Sequence, residues 1–139
     1  MQLSTSKHPK SIIATYSEEI YLFNRSNIAI VEKEKPEISL KYILGVLNSA
    51  LISYYFTKNT AKSVRQMFPK LILEDLRKFP IKKCSMEKQQ PIISLVEKIL
   101  KIKKDNTQTD TSPLEKEIDR LVYNLYDLTK DEIKLIDGK

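Results

Sequence analysis

Glycine is nearly absent. Only Gly45 and Gly138 occur in 139 residues, and this scarcity removes several functions at once. A Walker loop, a GxGxxG dinucleotide turn and a Gly-rich methyl-donor loop each need several glycines close together, because backbone must approach phosphate or cofactor closely. None can be built here. One cysteine, Cys84, excludes an internal disulfide and any Cys-cluster zinc site. One histidine, His8, excludes a His-based metal triad and falls in an N-terminus expected to be loose. The six prolines include no adjacent pair. No apolar run approaches the roughly 18 residues of a membrane span, and no apolar signal core opens the sequence, so a cytoplasmic chain is expected.

Apolar residues make up 41% and charged residues 30%, which fits one domain with its own core. The net charge of +6 is unevenly spread. Residues 1–38 are neutral, residues 39–84 carry +7 and residues 85–139 carry −1. The excess lies mainly between Lys58 and Lys83. A confined basic block is the footprint of a nucleic-acid surface, although a solvated face has the same composition.

Residues 12–16, 20–23 and 28–31 are short β-branched and aromatic runs separated by polar turns, and read as strands. Each is apolar on both faces, which predicts a sheet covered on two sides. After Pro36, Ser39 is placed to cap a long helix over 39–58, with Leu40, Ile43, Leu44, Leu47, Leu51, Tyr54 and Tyr55 as its apolar stripe. Gly45, Ser49 and Ala50 are small enough to let it lie close to the sheet. Residues 59–70 are polar and basic without a period, and read as a loop. Residues 70–73 read as a further strand and 74–79 as a short helix that stops before Pro80. Ser85 opens a helix to about Lys104 with Pro91 in its first turns. Ser112-Pro113-Leu114-Glu115 and Thr129-Lys130-Asp131-Glu132 have the form of capping boxes and predict two more helices. The expected fold class is α+β: a small, mostly antiparallel N-terminal sheet on a long helix, followed by a C-terminal helical hairpin. Residues 1–84 would form the recognition part and residues 85–139 the hairpin of the same domain.

Chemistry is hard to assemble. One His and one Cys leave no acyl-transfer triad. Glu132-Ile133-Lys134 spells part of a nuclease motif, but it falls inside a capped helix where such a motif has no strand or partner Asp. No catalytic, cofactor-binding or metal-binding residue is assigned. The basic loop offers more. Lys58, Asn59, Thr60, Lys62, Ser63, Arg65, Gln66 and Lys70 are all hydrogen-bond donors. Arg, Lys, Asn and Gln read base edges, and Ser, Thr and Lys hold phosphates. Tyr54, Tyr55, Phe56 and Phe68 stand beside them and can stack on bases, although the stripe assigns Tyr54 and Tyr55 to the core.

The order of segments resembles a known family. KYILGVLNSALISYYF (41–56) is similar to the helix bearing "LNS" in the TaqI-like C-terminal specificity domain. LEDLRKFPI (73–81) is similar to its "PI" segment, and EKQQPIISLVEKIL (87–100) and DTSPLEKEIDRLVYNLYDLTKDEIKLI (110–136) to its closing helices. The resemblance covers about residues 12–136. It implies a domain that selects the DNA sequence on which a separate catalytic domain acts, in adenine-specific DNA methyltransferases and type IIG restriction–modification enzymes. The sequence departs from a complete enzyme of that kind: it has no Asn-Pro-Pro-Tyr tetrapeptide, and Lys82-Lys83 replace prolines that often follow "PI". The resemblance implies a non-catalytic DNA target-recognition module. Its partners would be double-stranded DNA and a methyltransferase or restriction catalytic domain, in the same or a neighbouring chain. The alternative is a helical interaction module in which residues 85–136 dock on a partner or catalytic subunit.

Overall fold

A computed structural model describes residues 1–5, 12–19, 28–32, 34, 36–59 and 72–138. It shows a small, mostly helical α+β fold. Three strands, β1 (Gln2–Thr5), β2 (Ile12–Thr15) and β3 (Ile28–Ala29), form an antiparallel sheet in the order β2-β1-β3. The helices are α1 (Leu40–Leu47), α2 (Ala50–Asn59), α3 (Leu73–Arg77), α4 (Met86–Asp105), α5 (Ser112–Leu125) and α6 (Lys130–Asp137).

The N-terminus expected to be loose supplies the central strand. Leu3 pairs with Ala14 on one side and Ile28 on the other. Met1 N donates to Ile30 O at 3.1 Å, and Ile30 N returns a bond to Met1 O at 2.9 Å. Gln-Leu-Ser-Thr is not apolar enough to announce a strand; its pairing is settled by partners distant in sequence. His8 and the expected strand 20–23 lie outside the described residues. The sheet is also not covered on two sides at β2. Ile12 and Ala14 are buried while Ile13 and Thr15 face outward, because side chains alternate across the pleat and the described helices pack on the face of Ile12 and Ala14.

The expected helix 39–58 is two helices. Ser39 caps α1, its hydroxyl accepting from Lys41 N at 3.2 Å. Glu32 Oε1 accepts from Leu40 N at 3.2 Å, a carboxylate at the positive end of the helix. The break falls at Asn48-Ser49. The Asn48 amide takes both backbone groups of Ala14, accepting from its N–H at 2.8 Å and donating to its C=O at 2.9 Å. Ser49 Oγ donates to Val46 O at 2.6 Å, and Asp119 Oδ1 of α5 accepts from Ala50 N at 2.8 Å to restart the chain as α2. The interruption shifts the buried stripe. Leu51, Tyr54 and Tyr55 are only half-buried, whereas Ile52, Ser53 and Phe56 face the core.

Gly45 makes a close approach possible, but to α4 and not to the sheet. A Cβ there would stand 2.5 Å from Ile92 Cγ2 and 3.1 Å from Val96 Cγ2. Gln89, fully buried on α4, joins two stretches of chain: Oε1 accepts from Ser39 N at 3.0 Å, and Nε2 donates to Cys84 O at 2.9 Å and Glu37 O at 3.2 Å. Ser85 occupies the N-cap of α4, but its hydroxyl makes no capping bond.

Ile72 has extended backbone and caps α3, so Leu73 belongs to a helix and not to the strand expected over 70–73; residues 70 and 71 lie outside the described residues. α5 packs on α4 across residues 106–111, and α6 on α2. The first expected capping box is not formed. Thr111, not Ser112, is the N-cap of α5, and Ser112 Oγ donates instead to Asp110 Oδ1 at 2.6 Å. That bond and a second from Ser112 N at 2.9 Å hold the Asp110 carboxyl below its ordinary pKa. The second box is formed. Thr129 Oγ1 accepts from Glu132 N at 3.3 Å, and Glu132 Oε2 accepts from Thr129 N at 2.7 Å. Glu132 is therefore a helix cap, and Lys134 pairs with Asp131 at 3.0 Å.

Candidate nucleic-acid interface

The basic segment begins in the last turn of α2. Lys58 is exposed, with Nζ 5.6 Å from the centroid of the Tyr54 ring one turn earlier. That ring, half-buried, carries a cation on its face. Asn59 is exposed and spends one amide donor on Tyr55 O at 2.9 Å, closing the helix end. Thr60, Lys62, Ser63, Arg65, Gln66, Lys70 and Phe68 lie outside the described residues. Phe56 is fully buried, so it is core and not a stacking surface.

The chain returns through α3, and its two flanks are tied to each other. Tyr55 Oη donates to Lys78 O at 3.3 Å. Phe79, buried, meets the Tyr55 ring edge-on at 6.1 Å and the Phe56 ring at 6.3 Å. The Pro80-Ile81 turn is fixed from the other side. Tyr126 Oη donates to Pro80 O and accepts from Lys82 N at 2.9 Å, and Tyr42 Oη donates to Lys82 O at 2.7 Å. Burial pushes both phenols above their ordinary pKa. The recognisable "LNS" and "PI" segments are thus joints: one breaks a helix on the sheet, the other turns the chain against the helical part.

Charge pairing thins the basic block. Lys41 meets Glu97 at 2.8 Å, Lys78 meets Glu74 at 2.9 Å, Lys82 meets Asp127 at 3.0 Å and Lys83 meets Glu37 at 3.5 Å. Hydrogen bonding to the carboxylate raises the pKa of Lys41 and of Lys78. Lys82 and Lys83 therefore add little free charge. Among the described residues of the block, Lys58 and Arg77 have no carboxylate partner. Between them, residues 60–71 add three bases and no acid. Arg77 was not singled out from sequence, because Glu74 and Asp75 beside it make the stretch read as balanced; only the Lys78–Glu74 pair exposes the difference. Among the described residues no group of three His, Cys, Asp or Glu side chains is placed to hold a metal, and no helix is long and apolar enough to cross a membrane.

Residues 3–81, from the central strand to the Pro80-Ile81 turn, match the model of the TaqI-like C-terminal specificity domain. The chain belongs to this family. The match to the TaqI-like specificity domain takes in nearly all of the sheet, both halves of the broken helix, Lys58 and Arg77. It ends before α4, so the closing helices that also resembled the family lie beyond it. A type II restriction enzyme and methyltransferase of Methanocaldococcus jannaschii is 31% identical over 119 residues, which cover 83% of this chain and 10% of that protein. The chain thus spans about a tenth of the length of that relative. No solved structure matches it.

Proposed function

We propose that this chain is a non-catalytic DNA target-recognition module of a restriction–modification enzyme, an adenine-specific methyltransferase or a type IIG restriction enzyme. The observation that carries the reading is the specificity-domain match over residues 3–81, which contains Lys58, Arg77 and the three further bases of residues 60–71. Lys58, Asn59, Thr60, Lys62, Ser63, Arg65, Gln66 and Lys70 supply the DNA-facing surface. Lysines, as flexible point charges, hold phosphates, whereas Arg65 and Gln66 have the bidentate geometry to read guanine and adenine. Residues 1–84 recognise DNA, and residues 85–139 complete the same domain. The chemistry comes from a catalytic domain in the same or a neighbouring chain, in the cytoplasm. A second reading, docking of residues 85–136 on that catalytic part, draws on exposed Met86 and Leu135.

A salt titration of binding to duplex DNA tests the proposal. Phosphate contacts release counterions, so affinity should fall steeply with salt. Joint replacement of Lys58, Lys62, Arg65, Gln66 and Lys70 by alanine should abolish most of it. Equal binding by that variant at low salt would overturn the DNA surface and leave the docking reading in its place.

A further inference from the structure

The basic block contains one cation outside the surface proposed above that shares its circumstances. Arg77 ends α3, is exposed and has no carboxylate partner among the described residues. Its neighbour Lys78 is neutralised by Glu74 one turn earlier. The last turn of α2 and the last turn of α3 are held together by Tyr55 Oη on Lys78 O and by Phe79 against Tyr55 and Phe56. Lys58 lies one turn from Tyr54, and Arg77 directly precedes Lys78. The two unpaired cations therefore flank residues 60–71 in the sequence, at two helix ends joined by these aromatic contacts. We infer that Arg77 is a further DNA-backbone contact, a guanidinium that takes a phosphate at the far flank of the recognition surface. The inference rests on the DNA-recognition reading and extends it from one helix to two. An arginine suits the role: its fork matches phosphate oxygens bidentately and stays charged at every working pH. A phosphate contact beside base-reading residues fixes register without carrying sequence information.

The test uses the full 139-residue chain and two 20-base-pair duplexes of unrelated sequence, followed by fluorescence anisotropy across a salt series. Arg77→Ala and Arg77→Gln should lower the slope of log affinity against log salt by about one and weaken both duplexes alike, while Arg77→Lys keeps the slope. Lys134→Ala, at a lysine of α6 already paired with Asp131, should leave the slope unchanged. Thermal unfolding of each variant identifies any loss that comes from the fold, and the glutamine and lysine variants decide the matter if alanine disturbs α3. If the Arg77 variants keep the parental slope while Lys58→Ala lowers it, the inference falls and the recognition surface stands. If parent and all variants bind without salt dependence, both fall together.

Discussion

α1 and α2 continue one sequence pattern, yet they do different work. α1 is buried over most of its surface, from Leu40 through Tyr42, Leu44 and Gly45 to Leu47. α2 buries Ile52, Ser53 and Phe56, then emerges into solvent at Thr57, Lys58 and Asn59. Asn48 separates the two roles. By bonding both backbone groups of Ala14 it ends α1 on the sheet, so α2 can be re-aimed by Asp119. An interior helix and a helix that delivers charge to the surface need different faces turned inward, and the interruption shifts the stripe between them.

The largest blow to that division should come from Asn48→Ala. It orphans an N–H and a C=O that are partly buried, at about 2–3 kcal/mol by the usual cost of unmade hydrogen bonds. Urea unfolding measures the loss; a change below about 0.5 kcal/mol, the range of an ordinary surface substitution, would mean the amide does not hold the joint. Gly45→Ala tests α1 alone. Alanine gains about 1 kcal/mol of helix propensity, but its Cβ would sit 2.5 Å from Ile92 Cγ2, which cannot swing aside. Overpacking of about 1–3 kcal/mol should win, giving a net loss of about 1 kcal/mol; a stabilised variant would show that α1 and α4 can part cheaply.

The smallest effect at neutral pH sharpens the contrast through titration. Tyr42 of α1 is fully buried and donates to Lys82 O, and burial raises its pKa in the folded state. Its ordinary pKa is 10.0. The contribution is complete below that value. It is lost as pH rises above it, because the unfolded phenol releases its proton first. The slope approaches about 1.4 kcal/mol per pH unit for one proton. Tyr123 and Tyr126 shift in the same direction, so several protons contribute to the parental slope. Tyr42→Phe should reduce the slope between pH 10 and 11 by about one proton's share; an unchanged slope would place the alkaline sensitivity elsewhere.

The helical part was legible because its signals are local. Thr129 and Glu132 are three residues apart and cap one another, and Pro80 limits α3 from its own sequence. The rest depended on partners far along the chain. β1 is polar and finds its place between residues 12–15 and 28–29. Asn48 inside an apolar stripe gave no sign that its side chain belonged to Ala14, some 34 positions away. Gln89 stands in the polar run Glu87-Lys88-Gln89-Gln90, yet it is fully buried among three backbone groups. At the candidate site, composition located the basic block, but the sorting of its described charges into paired and unpaired required Glu37, Glu97 and Asp127 in space.

The bridge between α2 and the Lys78-Phe79 turn separates two kinds of inheritance. Tyr55, Phe56, Lys78 and Phe79 hold the flanks to each other through contacts that involve none of the residues from 60 to 71. If residues 60–71 carry the recognition chemistry proposed above, that chemistry can change without touching the side chains that make these anchoring contacts. Residues in the bridge have no such licence, because a change at Phe79 loosens both flanks together. On that reading the two tasks, holding the flanks and contacting DNA, fall to different residues.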